Sequence, residues 1–183
     1  MINESDIDDV ILVVVDVQER MMRAITDAER VVGSIATLCR GMIALDVPIL
    51  VTEQYPAGLG QTVPEIREAL GEAYNPLEKS TFSAAKDRDF LQAFEASGRH
   101  QVLICGVETH ICVYQTARDL HNLGYTVEVI ADAVGSRTRE NREIAVERLK
   151  HHGVDFTSVE MCLFDLLVSA EHETFREISG LIK

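Results

Sequence analysis

Three ionisable side chains stand where apolar segments of the sequence end. Asp16 closes the apolar run Val10–Val15, Lys79 lies in a loop after a second apolar run, and Cys112 follows a third run that breaks at Gly106. A carboxylate beside a thiol can act as its general base, and an ammonium group can stabilise the thiolate and hold the carboxylate in place. These residue types therefore fit catalysis by a nucleophilic cysteine, provided that the fold brings them together.

The sequence around Cys112 predicts a buried strand, a tight turn and then a helix. After the turn, residues that would form one largely apolar helix face recur at three- and four-residue steps up to Gly124: Val113, Thr116, Ala117, Leu120 and Leu123. Free N–H groups and the helix dipole favour an anion in a first helical turn, so we expect a stabilised thiolate at Cys112 and a place for an oxyanion beside it. The alternatives are a packing role for Cys112, a helix cap or loop acceptor for Asp16, and a solvated charge for Lys79.

Strand and helix patterns alternate along the whole sequence. Strands are predicted at 10–15, 49–52, 102–105, 125–130 and 154–159, helices lie between and after them, and 75–85 is predicted to be a loop. This alternation predicts an α/β fold: one three-layer, Rossmann-like domain over residues 1–183, with a mostly parallel sheet of five or six strands and helices on both faces. The carboxyl ends of parallel strands lie at one edge of the sheet, where Asp16, Lys79 and Cys112 can meet.

Composition excludes several classes of function. The net charge of −13 disfavours binding to nucleic acid or to an anionic membrane, because both need clustered lysine and arginine. No apolar run approaches the ~20 residues that cross a bilayer. Residues 1–9 are polar and acidic, unlike a secretory signal, so we expect a cytoplasmic protein. The four cysteines include no Cys-x-x-Cys pair, which argues against a zinc ribbon and a disulfide framework.

Three segments in order carry a family resemblance. VVVDVQ at 13–18, EKSTFSA at 78–84 and GVETHICV at 106–113 resemble the signature segments of the isochorismatase-like cysteine hydrolases, and ADA at 131–133 with Ser136 and Arg137 extends the match. That superfamily includes nicotinamidases, carbamoylsarcosine amidohydrolases and ureidoacrylate hydrolases. The segment EQYPAGLG at 53–60 is similar to the subgroup of isochorismatase domain-containing proteins.

The resemblance implies a role for each matching residue. Asp16 would take the proton from Cys112, Lys79 would complete the triad, and Cys112 would form a covalent thioester. It also implies a cis peptide bond before Glu108 and an oxyanion hole made by the backbone N–H groups of Glu108 and Cys112. The implied function is hydrolysis of a C–N bond in a small amide, carbamoyl or ureido compound, by a protein that assembles as a homo-oligomer.

The sequence also departs from parts of the superfamily. Nicotinamidases bind a metal through an Asp-x-His segment after the second strand, where this chain has Gln54 and Pro56, so we expect no metal and no cofactor. Isochorismatases that cleave a vinyl ether typically lack the cysteine, so Cys112 favours amide chemistry. Two alternatives stay open: C–O hydrolysis of an isochorismate-like ether, and a catalytically silent assembly or binding protein that kept the fold.

Residues on the loops around the predicted site are candidates for contacts with a small-molecule substrate. They supply apolar walls and hydrogen-bonding groups: Gln18, Glu53, Gln54, Tyr55, Phe82 and His110. A Cys112–His110 dyad is disfavoured, because residues two apart in a helical first turn point in different directions.

Overall fold

The sheet organises the structure, a computed structural model that describes residues 7–183. Its strands are β1 (Val10–Val15), β2 (Ile49–Gln54), β3 (Pro76–Lys79), β4 (Gln101–Val107), β5 (Thr126–Gly135) and β6 (Asp155–Thr157). They lie in the order β3-β2-β1-β4-β5-β6, and every neighbouring pair is parallel. This is the doubly wound Rossmann order, so the predicted fold class is confirmed. The expectation for the amino terminus rests mainly on residues 1–6, outside the described residues.

Helices connect and cover the strands. They are α1 (Glu19–Met22), α2 (Ala28–Ala44), α3 (Pro56–Leu59), α4 (Pro64–Leu70), α5 (Arg88–Ala96), α6 (Tyr114–Asn122), α7 (Arg139–His151), α8 (Val159–Leu167) and α9 (Phe175–Ile182). Short 3-10 turns lie at Ile7–Asp9, Gly71–Ala73 and Ala84–Lys86. No helix within residues 7–183 has the length and apolar character needed to cross a membrane.

Strand β1 shows why the fold has three layers. All six of its side chains are buried, and successive residues point to opposite faces of the sheet. Val10, Leu12 and Val14 join a core with α2, α4, α8 and α9, whereas Ile11 and Val13 join a second core with α5, α6 and α7. A strand buried on both faces needs a continuous apolar run, which the sequence supplies.

The structure corrects two local predictions. The predicted loop at 75–85 contains strand β3, whose four residues include a proline and two charges and so lack an apolar run; an edge strand tolerates them because one side stays unpaired. Leu123 was predicted on the buried face of the helix after the turn, but α6 ends at Asn122 and Leu123 is 59% exposed.

The site lies where the connections of the sheet reverse direction. From β1 the chain adds β2 and β3 on one side, and then crosses to β4 on the other side of β1. The connections on either side of this switch point diverge, which leaves a crevice at the carboxyl ends of β1 and β4. Asp16 follows β1 directly and Cys112 follows β4, so both flank that crevice.

Candidate active site

Asp16 lies at the carboxyl end of β1 and is completely buried. Its backbone has a φ of 52°, in the left-handed region that aspartate tolerates better than most residues. Both carboxylate oxygens accept hydrogen bonds: Oδ1 from the Thr52 hydroxyl at 2.7 Å and Oδ2 from the Lys79 ammonium at 2.6 Å. Two donors from the β2 and β3 side therefore fix the orientation of the carboxylate.

Lys79 is the last residue of β3, and only 1% of its side chain is exposed. Its ammonium also donates to the side-chain oxygen of Gln54 at 2.8 Å and approaches the carbonyl oxygens of Thr81 and Phe82 at 3.2 and 3.4 Å. A buried charge is tolerated only when it is paired and hydrogen-bonded, and Lys79 meets both conditions. The alternative of a solvated loop charge for Lys79 is wrong.

Cys112 lies in a π-helical turn, Thr109–Val113, that leads into α6. The amide of Val113 donates to the carbonyl oxygen of Glu108 five residues earlier, at 3.2 Å, which widens the turn. Such π turns occur frequently at functional sites. The predicted strand, turn and helix around Cys112 are confirmed, and the Asp16 carboxylate lies near enough to the thiol to raise its pKa.

The protonation of Cys112 differs from the expectation. Burial, the charge of Asp16 and the hydrogen bond with Asp16 raise the pKa of the Cys112 thiol to about 12, and the Lys79 ammonium offsets only part of this effect. The predicted resting thiolate is therefore wrong, because the helix terminus and Lys79 do not outweigh burial and a neighbouring carboxylate. Cys112 rests as a neutral thiol with a base beside it.

Alkylation kinetics test this protonation state. With its pKa raised to about 12, the Cys112 side chain is almost entirely a neutral thiol at pH 8. We expect the rate of Cys112 alkylation by iodoacetamide, followed by mass spectrometry, to rise about tenfold per pH unit from pH 7 to pH 10. A plateau below pH 9 would show a lowered pKa instead. The alkylation rate of Cys39, which is buried in α2, is the internal reference for the rate at Cys112.

Glu108 joins β4 to the π-helical turn. The peptide bond between Val107 and Glu108 is cis, in agreement with the expectation from the resemblance. The Glu108 carboxylate accepts a hydrogen bond from Arg137 Nε at 2.6 Å, so its side chain is held by the loop after β5. The backbone N–H groups of Glu108 and Cys112 remain the predicted oxyanion hole.

The structure gives Gln18 and Glu53 structural roles. Gln18 is completely buried, and its side chain bonds the backbone N–H and carbonyl of Gln54 and the carbonyl of Gly60 at 2.6–3.1 Å. Glu53 is 3% exposed, and its Oε1 accepts from the Thr62 amide and hydroxyl and from the Tyr74 hydroxyl. These two side chains are already hydrogen-bonded within the protein, so we do not propose Gln18 and Glu53 as substrate contacts.

Replacing Glu53 tests this structural role. We expect Glu53→Ala to lower the free energy of unfolding by about 2–4 kcal/mol, because two buried donors of Thr62 and the part-buried hydroxyl of Tyr74 lose their acceptor. Glu78 is the matched control, since it pairs with Glu53 across β2 and β3 but is exposed. Glu78→Ala should change the stability by less than about 0.5 kcal/mol in urea denaturation. Equal effects of the two substitutions would contradict the structural role.

The remaining candidates divide into two groups. Tyr55 and Phe82 are 64% and 56% exposed, and Tyr55 lines a surface cavity of about 370 Å³ together with Lys79 and Ser80. His110 lies instead toward α7, where its Nδ1 is 3.1 Å from the Ser136 hydroxyl. Burial lowers the pKa of His110, so its ring is neutral at pH 7. This placement agrees with the argument against a Cys112–His110 dyad.

Sequence reasoning missed Thr52 as a member of the site. Its hydroxyl donates a hydrogen bond to one oxygen of Asp16. In the sequence, however, Thr52 is only the last residue of the predicted strand 49–52. The signal available in the sequence is that Thr52 is the polar residue at the end of the predicted strand 49–52, and in the structure it pairs with Val15, the residue before Asp16. A polar residue at the carboxyl end of a strand adjacent to β1 is a candidate site residue for that reason.

Comparisons with known proteins give the family. The profile of the Isochorismatase domain matches residues 10–161. Isochorismatase domain-containing protein 2A of Mus musculus is 38% identical, over 94% of this chain and 82% of that protein, and the secreted isochorismatase effector Isc1 of Phytophthora sojae is 39% identical, over 94% and 84%. The structure of MAR1 ribonuclease from Caenorhabditis elegans superposes with a TM-score of 0.90 at 32% identity, over 96% of this chain and 90% of that one. The chain therefore belongs to the family of the Isochorismatase domain, the isochorismatase-like hydrolases.

Proposed function

We propose that this protein is a cysteine hydrolase that cleaves a C–N bond of a small amide, carbamoyl or ureido compound. The observation that carries the proposal is the buried set of Asp16, Lys79 and Cys112, in which the carboxylate is bonded to the ammonium at 2.6 Å and lies near enough to the thiol to raise its pKa. A thiol with its own general base is the arrangement that nucleophilic acyl transfer needs.

In the first half of the reaction Cys112 Sγ attacks the substrate carbonyl carbon while its proton passes to Asp16. The backbone N–H groups of Glu108 and Cys112 stabilise the negative oxygen of the tetrahedral intermediate. The C–N bond then breaks, the leaving nitrogen takes the proton from Asp16, and a thioester remains on Cys112. Because the resting thiol has a pKa of about 12, removal of its proton has to accompany the attack.

Hydrolysis of the thioester completes the cycle. A water molecule attacks the thioester carbon and gives a proton to Asp16, the C–S bond breaks, and Cys112 recovers the proton as a thiol. Lys79 holds Asp16 in place through both halves of the reaction. The products are the amine or ammonia and the carboxylic or carbamic acid.

The proposed reaction uses no metal ion and no other cofactor. Gln54 occupies a position at which the related nicotinamidases carry a metal ligand, and its side-chain oxygen accepts from Lys79 while its nitrogen donates to the Ser80 carbonyl. Among residues 7–183 no three histidine, cysteine or carboxylate side chains cluster as metal ligands do. The chemistry of the side chains at this position therefore supports a protein-only mechanism.

A ribonuclease function is not proposed for this chain, although one structural relative is named a ribonuclease. RNA binding depends on basic residues that contact phosphates, and this protein has a net charge of −13. The second candidate is C–O hydrolysis of an isochorismate-like ether, which the family name favours. That reaction needs an acid and an ordered water molecule but no thiol, so its rate should survive the loss of Cys112.

A substrate panel with covalent trapping tests the proposal. We would incubate the protein with primary amides, N-carbamoyl amino acids and ureido acids, measure ammonia release, and quench in acid for mass spectrometry. The expected result is ammonia release together with an acyl group on the Cys112 peptide that hydroxylamine removes. Turnover without any adduct at Cys112 under single-turnover conditions would contradict the thioester mechanism.

We also propose that the protein assembles as a homo-oligomer, as the resemblance implies. Exposed apolar side chains support association, because Met161 and Phe164 on α8 and Val168 directly after it are 58%, 38% and 67% exposed. Sedimentation velocity at micromolar concentration should give a mass of at least two chains of 20.3 kDa. A monomer at that concentration would contradict this proposal.

A further inference from the structure

Lys79 has more than one partner, and the partners differ in charge. An ammonium group has three N–H donors. The two shortest contacts of Lys79 Nζ are Asp16 Oδ2 at 2.6 Å and Gln54 Oε1 at 2.8 Å, while two backbone carbonyls lie at 3.2 and 3.4 Å. Asp16 is therefore the charged partner, and Gln54 is the neutral side chain that shares the ammonium with it.

The side-chain amide of Gln54 has one orientation that satisfies both of its ends. Its oxygen accepts from Lys79, and its nitrogen donates to the Ser80 carbonyl at 2.9 Å. The reversed amide would place an NH₂ group against the ammonium and an oxygen against a carbonyl oxygen, and would lose both hydrogen bonds. The amide can therefore present only its acceptor to Lys79.

The backbone of Gln54 is fixed as well. The buried side chain of Gln18 accepts from the Gln54 amide at 2.7 Å and donates to the Gln54 carbonyl at 3.1 Å. Gln54 also pairs with Lys79 in the register of β2 and β3. A side chain held at its backbone and at both ends of its amide is suited to holding another group in place.

We propose that Gln54 is a positioning residue for the triad, which holds the Lys79 ammonium so that one N–H is directed to Asp16. This inference rests on the proposed function, in which Asp16 takes the proton of Cys112. A neutral acceptor is required because a second carboxylate would compete with Asp16 for Lys79 and add negative charge beside the thiol. Gln54 thus acts through Lys79 and does not need to contact the substrate.

Two substitutions separate this role from simple packing. Gln54→Met keeps the side-chain length but removes the acceptor, and Gln54→Glu keeps the acceptor but adds a charge. With iodoacetamide as the probe, we expect Gln54→Glu to slow Cys112 alkylation at pH 8 about tenfold, since negative charge near the thiol disfavours its thiolate. With any substrate found in the panel, Gln54→Met should lower kcat about tenfold or more and change KM by less than about twofold.

The control is Gln92→Met, an identical change on the exposed face of α5, which should leave both measurements at the wild-type level. Wild-type kcat for Gln54→Met, or wild-type alkylation for Gln54→Glu, would overturn the inference. Failure of the proposed function gives a different result, in which Cys112→Ala retains turnover whatever residue stands at position 54. If Gln54→Met does not fold, the alkylation profile of Gln54→Glu decides, because it requires no substrate.

Discussion

Cys112→Ala is expected to reduce the rate of amide hydrolysis by about 10³- to 10⁴-fold or more, since it removes the atom that forms the covalent intermediate. Cys112→Ser should be nearly as inactive, because a serine hydroxyl is a far weaker nucleophile than a thiolate at the same site. Both variants should keep the fold, because the first only removes the sulfur atom of Cys112 and the second only replaces it with oxygen. The Cys112 residue is 3% exposed. Steady-state kinetics and circular dichroism would measure the two effects.

Cys39→Ala is the matched control for Cys112→Ala. Cys39 is also a free, buried cysteine, and burial raises its pKa to about 12 as well, but it lies on α2 and contacts the opposite core. Its replacement should leave kcat unchanged and lower the stability by about 1 kcal/mol. Both cysteines have a raised pKa, so the feature that distinguishes Cys112 from Cys39 is the neighbouring carboxylate of Asp16.

The outcome of the Cys112 series also separates the alternatives. Full turnover by Cys112→Ala would exclude the thioester and favour ether hydrolysis, which uses no thiol. Wild-type protein that turns over no member of the panel and forms no adduct at Cys112 would favour a catalytically silent assembly protein. The proposed mechanism requires turnover by the wild type and its loss in both variants.

Gly106→Ala is expected to lower the free energy of unfolding by about 2–6 kcal/mol. Gly106 has a φ of 120°, which residues with a side chain rarely adopt, and an added Cβ would lie 2.7 Å from the backbone nitrogen of Val15 and closer still to its carbonyl oxygen. Strain at such a φ costs about 1–3 kcal/mol, and an overpacked contact costs a similar amount. Val15 pairs with Gly106 and precedes Asp16, so the base should be displaced too.

Gly33→Ala is the control for the loss of a glycine. Gly33 is exposed in the middle of α2, and a Cβ there would meet no atom within 4 Å. Alanine favours a helix interior over glycine by about 1 kcal/mol, so this variant should be slightly more stable than the wild type. Urea denaturation of the two variants should therefore move the midpoint in opposite directions, and equal midpoints would contradict the close contact at Gly106.

Most of the fold could be predicted because it depends on local patterns. The six apolar residues of β1 and the alternation of strands and helices are sufficient for a parallel sheet. Strand β3 could not be predicted, since four residues with a proline and two charges have no strand pattern of their own. Its pairing with β2 determines its structure, and pairing is a tertiary interaction.

The sequence by itself determined which residues are available for catalysis, because Asp16 and Cys112 follow predicted strands, Lys79 lies in a predicted loop, and each stands in a recognisable segment. Only the tertiary structure decided what surrounds them. The side-chain acceptors of Lys79, which are Asp16 and Gln54, and the protonated thiol of Cys112 depend on groups 25 to 96 residues away in the chain, whose approach no local pattern specifies. A pKa and a hydrogen-bonding role follow from distance and burial, which residue identity alone does not fix.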